Sequence, residues 1–89
     1  MIQLVDAQAM AKSHPETFGA PDQDELDAVK IGDSVKICID NKERLWVEVT
    51  EISGGQLKGK IDNHPVMIDE VSFGEAINFR KENIYSIFN

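Results

Sequence analysis

From residue 34 onward, apolar and polar side chains alternate along most of the chain, the period-two pattern of strands with one buried face. The pattern is clearest over residues 43–66. Leu45, Val47 and Val49 alternate with Trp46, Glu48 and Thr50; after Ser53-Gly54-Gly55, Leu57, Gly59 and Ile61 alternate with Lys58 and Lys60. Glycine supplies the positive φ that a tight turn requires, so this stretch predicts a β-hairpin. Upstream, Val35, Ile37 and Ile39 alternate with Lys36 and Cys38. The turn after them is Asp40-Asn41-Lys42-Glu43, since Asn and Asp tolerate left-handed backbone. Downstream, Asp62-Asn63-His64-Pro65 predicts a turn and residues 66–68 a short strand. Residues 69–74 predict a loop anchored by Val71 and Phe73, residues 76–79 a strand with Ile77 and Phe79 inward, and residues 83–88 a last strand or tight turn. The inward set defines the expected core: Val35, Ile37, Leu45, Val47, Val49, Leu57, Ile61, Ile77 and Phe79.

The first third of the chain has a different texture. Residues 2–12 predict a short helix that must stop near Ser13-His14-Pro15, because proline disfavours a helical residue before it. Residues 13–21 read as an extended loop pinned to the core by Phe18. Asp22 and Glu25, three apart, form a capping box that opens a second helix, with Leu26 and Val29 facing the core and Gly32 ending it. Short strands separated by frequent turns predict a meander closed into a barrel. The expected architecture is therefore mainly β: a small SH3-like barrel of five or six antiparallel strands over residues 34–89, with a helical arm over residues 1–33. The two are expected to form one folding unit.

Composition narrows the functional classes. At 89 residues the chain suits one domain. The net charge is −7, and it is uneven: residues 1–33 carry seven acidic against two basic side chains, residues 34–89 nine against seven. Such a balance repels phosphate backbones and anionic lipid, so nucleic acid and membrane are poor partners and a basic protein surface a better one. Cys38 is the only cysteine, which excludes an internal disulfide and zinc sites built on paired cysteines. The N-terminal stretch lacks the basic start of a signal peptide, and no apolar run approaches the ~20 residues that span a bilayer. A cytoplasmic location is expected.

Candidate chemistry is sparse. Cys38 and His64 have the residue types of a nucleophile and base, but nothing in the sequence brings them together, and single cysteines in small domains are usually packed bystanders. His14 and His64 lie fifty positions apart without close-spaced partners, so no metal is expected. Glu43, Glu48 and Glu51 read as solvated strand residues; a bulge would turn Glu51 outward. Trp46 stands opposite the inward set. A lone exposed tryptophan is a strong binding hot spot, but a small barrel needs a second packing layer, and Phe18 or Leu26 is expected to cover it. Asp22, Asp24 and Asp27 are either a docking face for a basic partner or a capped, solvated helix start, and both readings stand.

Four blocks, GDSVKICI from Gly32, ERLWVEVTEI from Glu43, GKIDNHPV from Gly59 and GEAINF from Gly74, resemble in order and spacing the YegJ-like bacterial domain of unknown function. The resemblance covers residues 17–84. It implies a compact β-rich fold of bacterial or phage origin, no established activity and no functional residues to carry over. The expectation is a non-enzymatic protein-interaction module without cofactor, whose contact residues are Asp22, Asp24, Asp27 and Trp46. The alternative is a small acidic inhibitor or immunity protein, of bacterial or phage origin, that masks a basic nucleic-acid-binding or nuclease surface.

Overall fold

The computed structural model describes residues 2–88. In chain order the elements are helices α1 (Ala7–Ser13) and α2 (Gln23–Asp27), strands β1 (Ser34–Ile39), β2 (Glu43–Ser53), β3 (Gln56–Ile61) and β4 (Ala76–Arg80), a 3-10 turn (Lys81–Asn83), and strand β5 (Ser86–Phe88). The five strands make one antiparallel sheet in the order β4-β3-β2-β1-β5.

The alternation in the sequence becomes the two faces of this sheet. All nine expected core residues lie in one buried cluster, joined by Leu26, Val29, Ile39, Ile68, Val71 and Ile84. Asp40 and Asn41 take left-handed φ angles of 54° and 56°, and Gly54 a φ of 64°, as the two hairpin turns require. The register of β2 against β3 shifts between Val49 and Glu51, so Val49 faces Gly59 while Glu51 faces Lys58. This bulge turns Glu51 to the outer face. On its other side Val49 extends the pairing of β2 with the segment before β1: its N–H donates to the Asp33 carbonyl and its C=O accepts from Gly32, both at 2.9 Å.

Three expectations are corrected. First, the strands do not close into the SH3-like barrel. β4 and β5 are the two edges of an open sheet. β5 is three residues long and pairs only with Ser34, Val35 and Lys36. The rest of that side of β1 is taken by the N-terminal segment, through Val5 N–H to the Cys38 carbonyl (3.0 Å) and Asp40 N–H to the Gln3 carbonyl (2.7 Å). Ile2 and Leu4 pack onto the core beside β4, so side chains rather than a strand ladder cover that end. Second, the first helix begins at Ala7 instead of residue 2. Asp6 caps it by accepting from Ala9 N–H at 2.9 Å, and the residues before it are extended against β1. Third, residues 66–68 are not a strand. The N–H groups of Val66 and Met67 donate to the Glu43 carboxylate at 2.8 and 2.7 Å, so they are unavailable to a ladder. Only Ile68 of the three is buried.

The capping box is present as expected: Asp22 accepts from Glu25 N–H at 2.8 Å and Glu25 from Asp22 N–H at 3.1 Å. Asn83 staples the two chain ends. Its Nδ2 donates to the Val5 carbonyl at 3.1 Å and its Oδ1 accepts from Arg80 N–H at 2.8 Å. Among the described residues, no buried side-chain nitrogen or oxygen lacks a hydrogen-bond partner.

Candidate functional site

The pleat that sends Val35, Leu45 and Val47 inward places Ser34, Lys36, Trp46, Glu48, Lys58 and Lys60 on the opposite face. One corner of that outer face is covered. Cys38 and Tyr85 are buried there with Ala7, and Val5, Phe18 and Ala20 pack against them. The Phe18 and Tyr85 rings lie 4.7 Å apart. The Arg44 guanidinium stands 4.7 Å over the Tyr85 ring, a cation–π contact at the margin of the cluster. Burial first, and then the neighbouring Cys38 thiol, push the Tyr85 phenol above its ordinary value.

Among the described residues, no element lies over the rest of the outer face. Trp46 is half-buried, and its side contacts come from the sheet itself. Lys36, its partner across β1, holds its ammonium 4.9 Å from the indole centroid. Phe88, opposite Ser34 on β5, meets Trp46 edge-on at 6.5 Å and 74°. Phe88 is 70% exposed, and together Ser34, Trp46, Asp62 and Phe88 line a shallow cleft. The backbone of Trp46 is fixed by the turn after β3: its N–H donates to Asn63 Oδ1 and its C=O accepts from Asp62 N–H at 2.9 Å. The expectation that Phe18 or Leu26 covers Trp46 is therefore corrected. Phe18 is spent on Tyr85, and Leu26 is buried in the core cluster on the other side of the sheet.

The same geometry separates the other candidate residues from Trp46. Asp22, Asp24 and Asp27 are exposed on α2, which the buried Leu26 anchors to the core side. Two of the three have structural partners. Asp22 is the cap, and Asp27 accepts from Gln23 Nε2 at 2.9 Å and from Lys81 Nζ at 3.1 Å. Those two bonds, Gln23 first, hold the Asp27 carboxyl below its ordinary value. Asp24 belongs to the exposed first turn.

The remaining candidates do not assemble into a reactive site. Cys38 lies beneath Ala7 and Tyr85, whereas the His64 ring is stacked on Phe73 at 4.6 Å in the connection between β3 and β4. Among the described residues, no three His, Cys, Asp or Glu side chains are grouped to hold a metal ion. No helix among them is long and apolar enough to cross a membrane. Two residues that sequence reasoning missed shape the surface. Phe88 could have been found only by knowing that β5 pairs beside Ser34. Glu43 looked like a solvated strand residue, but its bonds from Met67 and Val66 hold its carboxyl below the ordinary value and pin the loop that carries exposed Val66 and Met67.

A family model described as "Uncharacterized protein conserved in bacteria (DUF2314)" matches residues 23–86, from the first residue of α2 to the first of β5. The chain belongs to this family. Membership establishes a domain of unknown function conserved in bacteria, and it spans both α2 and the strand that carries Trp46. No curated protein and no solved structure matches the chain.

Proposed function

We propose that this member of the family is a non-enzymatic protein-interaction module of the cytoplasm whose contact surface is the uncovered outer face of the sheet around Trp46. The observation that carries this reading is the Trp46–Phe88 pair, a half-buried indole and an exposed phenyl ring beside a shallow cleft, in a domain that buries its remaining strand aromatic, Phe79. Aromatic anchors on a rigid strand lose little side-chain freedom on binding, which is why tryptophan dominates interface energetics. A second reading is a small inhibitor that masks a basic surface with α2. It is favoured by the exposure of Asp22, Asp24 and Asp27 on one short helix.

Affinity capture from the source bacterium separates the two readings, followed by binding measurements on the purified partner. A partner protein that loses at least tenfold in affinity with Trp46→Ala or Phe88→Ala, and keeps it when Asp22, Asp24 and Asp27 become Asn, supports the sheet face. Asn preserves the cap at position 22, so loss with the Asp variant is not a folding effect. Loss with that variant alone moves the contact to α2 and overturns the first reading.

A further inference from the structure

The connection between β3 and β4 turns apolar side chains outward. Val66 is 86% exposed, Met67 67% and Phe73 54%, three of the six large apolar side chains that are exposed among the described residues. Ring stacking gathers them: His64, two positions before Val66, lies 4.6 Å from the Phe73 ring. We propose that this connection is a second contact surface and that it receives a basic amphipathic helix of a partner protein. The apolar stripe of that helix sits on Val66, Met67 and Phe73, and its flanking lysines or arginines reach Asp69, Glu70 and Glu75. This surface is distinct from the face around Trp46 and stands or falls independently of it.

The loop is held in a form that presents these side chains. The Val66 and Met67 N–H groups donate to the Glu43 carboxylate at 2.8 and 2.7 Å, and Ile68 and Val71 take the inward places in the core. Val66, Met67 and Phe73 therefore cannot turn inward without breaking those anchors, and a surface fixed in advance loses little freedom on binding. The charge around it selects the occupant. Residues 60–75 and the turn that holds them, residues 40–44, carry six acidic side chains against the basic Lys42, Arg44 and Lys60, a net −3. Asp69, Glu70 and Glu75 are exposed. Backbone amides position two of these carboxylates: Glu70 accepts from Asp69 N–H at 3.1 Å and Glu75 from Ser72 N–H at 3.0 Å. Asp69 follows Met67 by two positions and Glu75 follows Phe73 by two, which keeps each acid within about 8 Å of the apolar group along the chain. A second copy of the chain, an anionic bilayer and a nucleic acid all bring negative charge against this surface. A basic amphipathic helix meets both demands from one face: residues three and four apart form the apolar stripe, and lysine stems beside it extend their ammonium groups to its margins.

Amide spectra of the isotope-labelled protein locate the contact. Three blocked peptides are the probes: one with leucines at helical spacing flanked by lysines, one with glutamate in place of each lysine, and one with glutamine in place of each leucine. The Lys–Leu peptide is expected to give saturable shifts centred on the amides of Val66, Met67 and Phe73, weakening as salt rises. The variant Val66→Ser, Met67→Ser keeps both N–H groups for Glu43 and should bind that peptide roughly tenfold more weakly, as expected when two central apolar contacts are removed. The variant Asp69→Asn, Glu70→Gln should bind it roughly threefold more weakly, the scale of two exposed charges. Circular dichroism and the melting transition confirm that the variants fold. If the double serine variant does not, Met67→Ser alone serves, with a smaller loss in the same direction. Shifts centred on α2 or on the Trp46 face, no response to the Lys–Leu peptide, or equal or tighter binding of either control peptide overturns the inference. So does an affinity that the serine substitutions leave unchanged.

Discussion

Gly59 offers the sharpest check on the register that puts Trp46 outside. It is buried at the inner face of β3, opposite Val49. A Cβ built there lies 2.3 Å from Val47 Cγ1 and 2.6 Å from the Glu48 carbonyl oxygen. The first contact can be relieved by a side chain only at the cost of moving Val47, which is fully buried; the second is backbone and requires β2 and β3 to separate. Overpacking of this kind costs about 1–3 kcal/mol. Gly59 does not have a positive φ, so alanine suits its backbone and returns about 0.4–1 kcal/mol by restricting the unfolded chain. The net expectation for Gly59→Ala is a loss of about 1.5 kcal/mol. In a domain of this size that lowers Tm by roughly 6–12 °C. Thermal denaturation followed by circular dichroism measures it, with urea melts as a check on the free energy. An unchanged or raised Tm would refute the packing of β3 on β2. It would also remove the basis for assigning Trp46 to the outer face, because both follow from one register.

Other outcomes follow from the same contacts. Asn83→Ala removes both bonds that tie Val5 to Arg80, each half-buried and worth about 0.5–1.5 kcal/mol; it should cost about 1–3 kcal/mol, read from urea denaturation, whereas a neutral result would show that the N-terminal segment is not held there. The lowered pKa of Glu43 means that its contribution is complete above the unfolded-state pKa and is lost as pH falls through the lower folded value. Amide exchange at Val66 and Met67, corrected for intrinsic rates, should accelerate over that acid range in the wild type, and in Glu43→Gln it should be fast already at neutral pH. Phe18→Ala should lower Tm through the Tyr85 cluster yet leave the Trp46 emission maximum in place, while Phe88→Ala should red-shift it; the reverse pattern would put the arm back over Trp46.

The core and the turns were legible because they depend on near neighbours. The alternation of Leu45, Val47 and Val49 specifies a face whatever the strand pairs with, and the Asp22–Glu25 box closes within one turn of helix. The bulge at Val49/Glu51 was foreseeable as an option, but its occurrence is a matter of the register between β2 and β3, which the alternation alone does not specify. What could not be read were the long-range choices. An open sheet and a closed barrel share the same alternation. The difference lies in a β5 of three residues and an N-terminal segment that competes for the edge of β1. Glu43 could not be assigned because its partners, the amides of Val66 and Met67, lie more than twenty positions away. Trp46 failed for the same reason. The sequence offers Phe18 as a cover, but the chain delivers Phe18 to Tyr85, and the ring that meets Trp46 is the distant Phe88.

The uncovered face around the single tryptophan is tested most directly by a neutral quencher. Stern–Volmer constants for acrylamide are measured on Trp46 emission in the native protein and in the urea-unfolded chain. Half-buried Trp46, with no described element over it, should be quenched in the native protein at a substantial fraction of the unfolded-chain constant. A native tryptophan that acrylamide does not reach until the protein unfolds would contradict the uncovered face and the contact surface assigned to it.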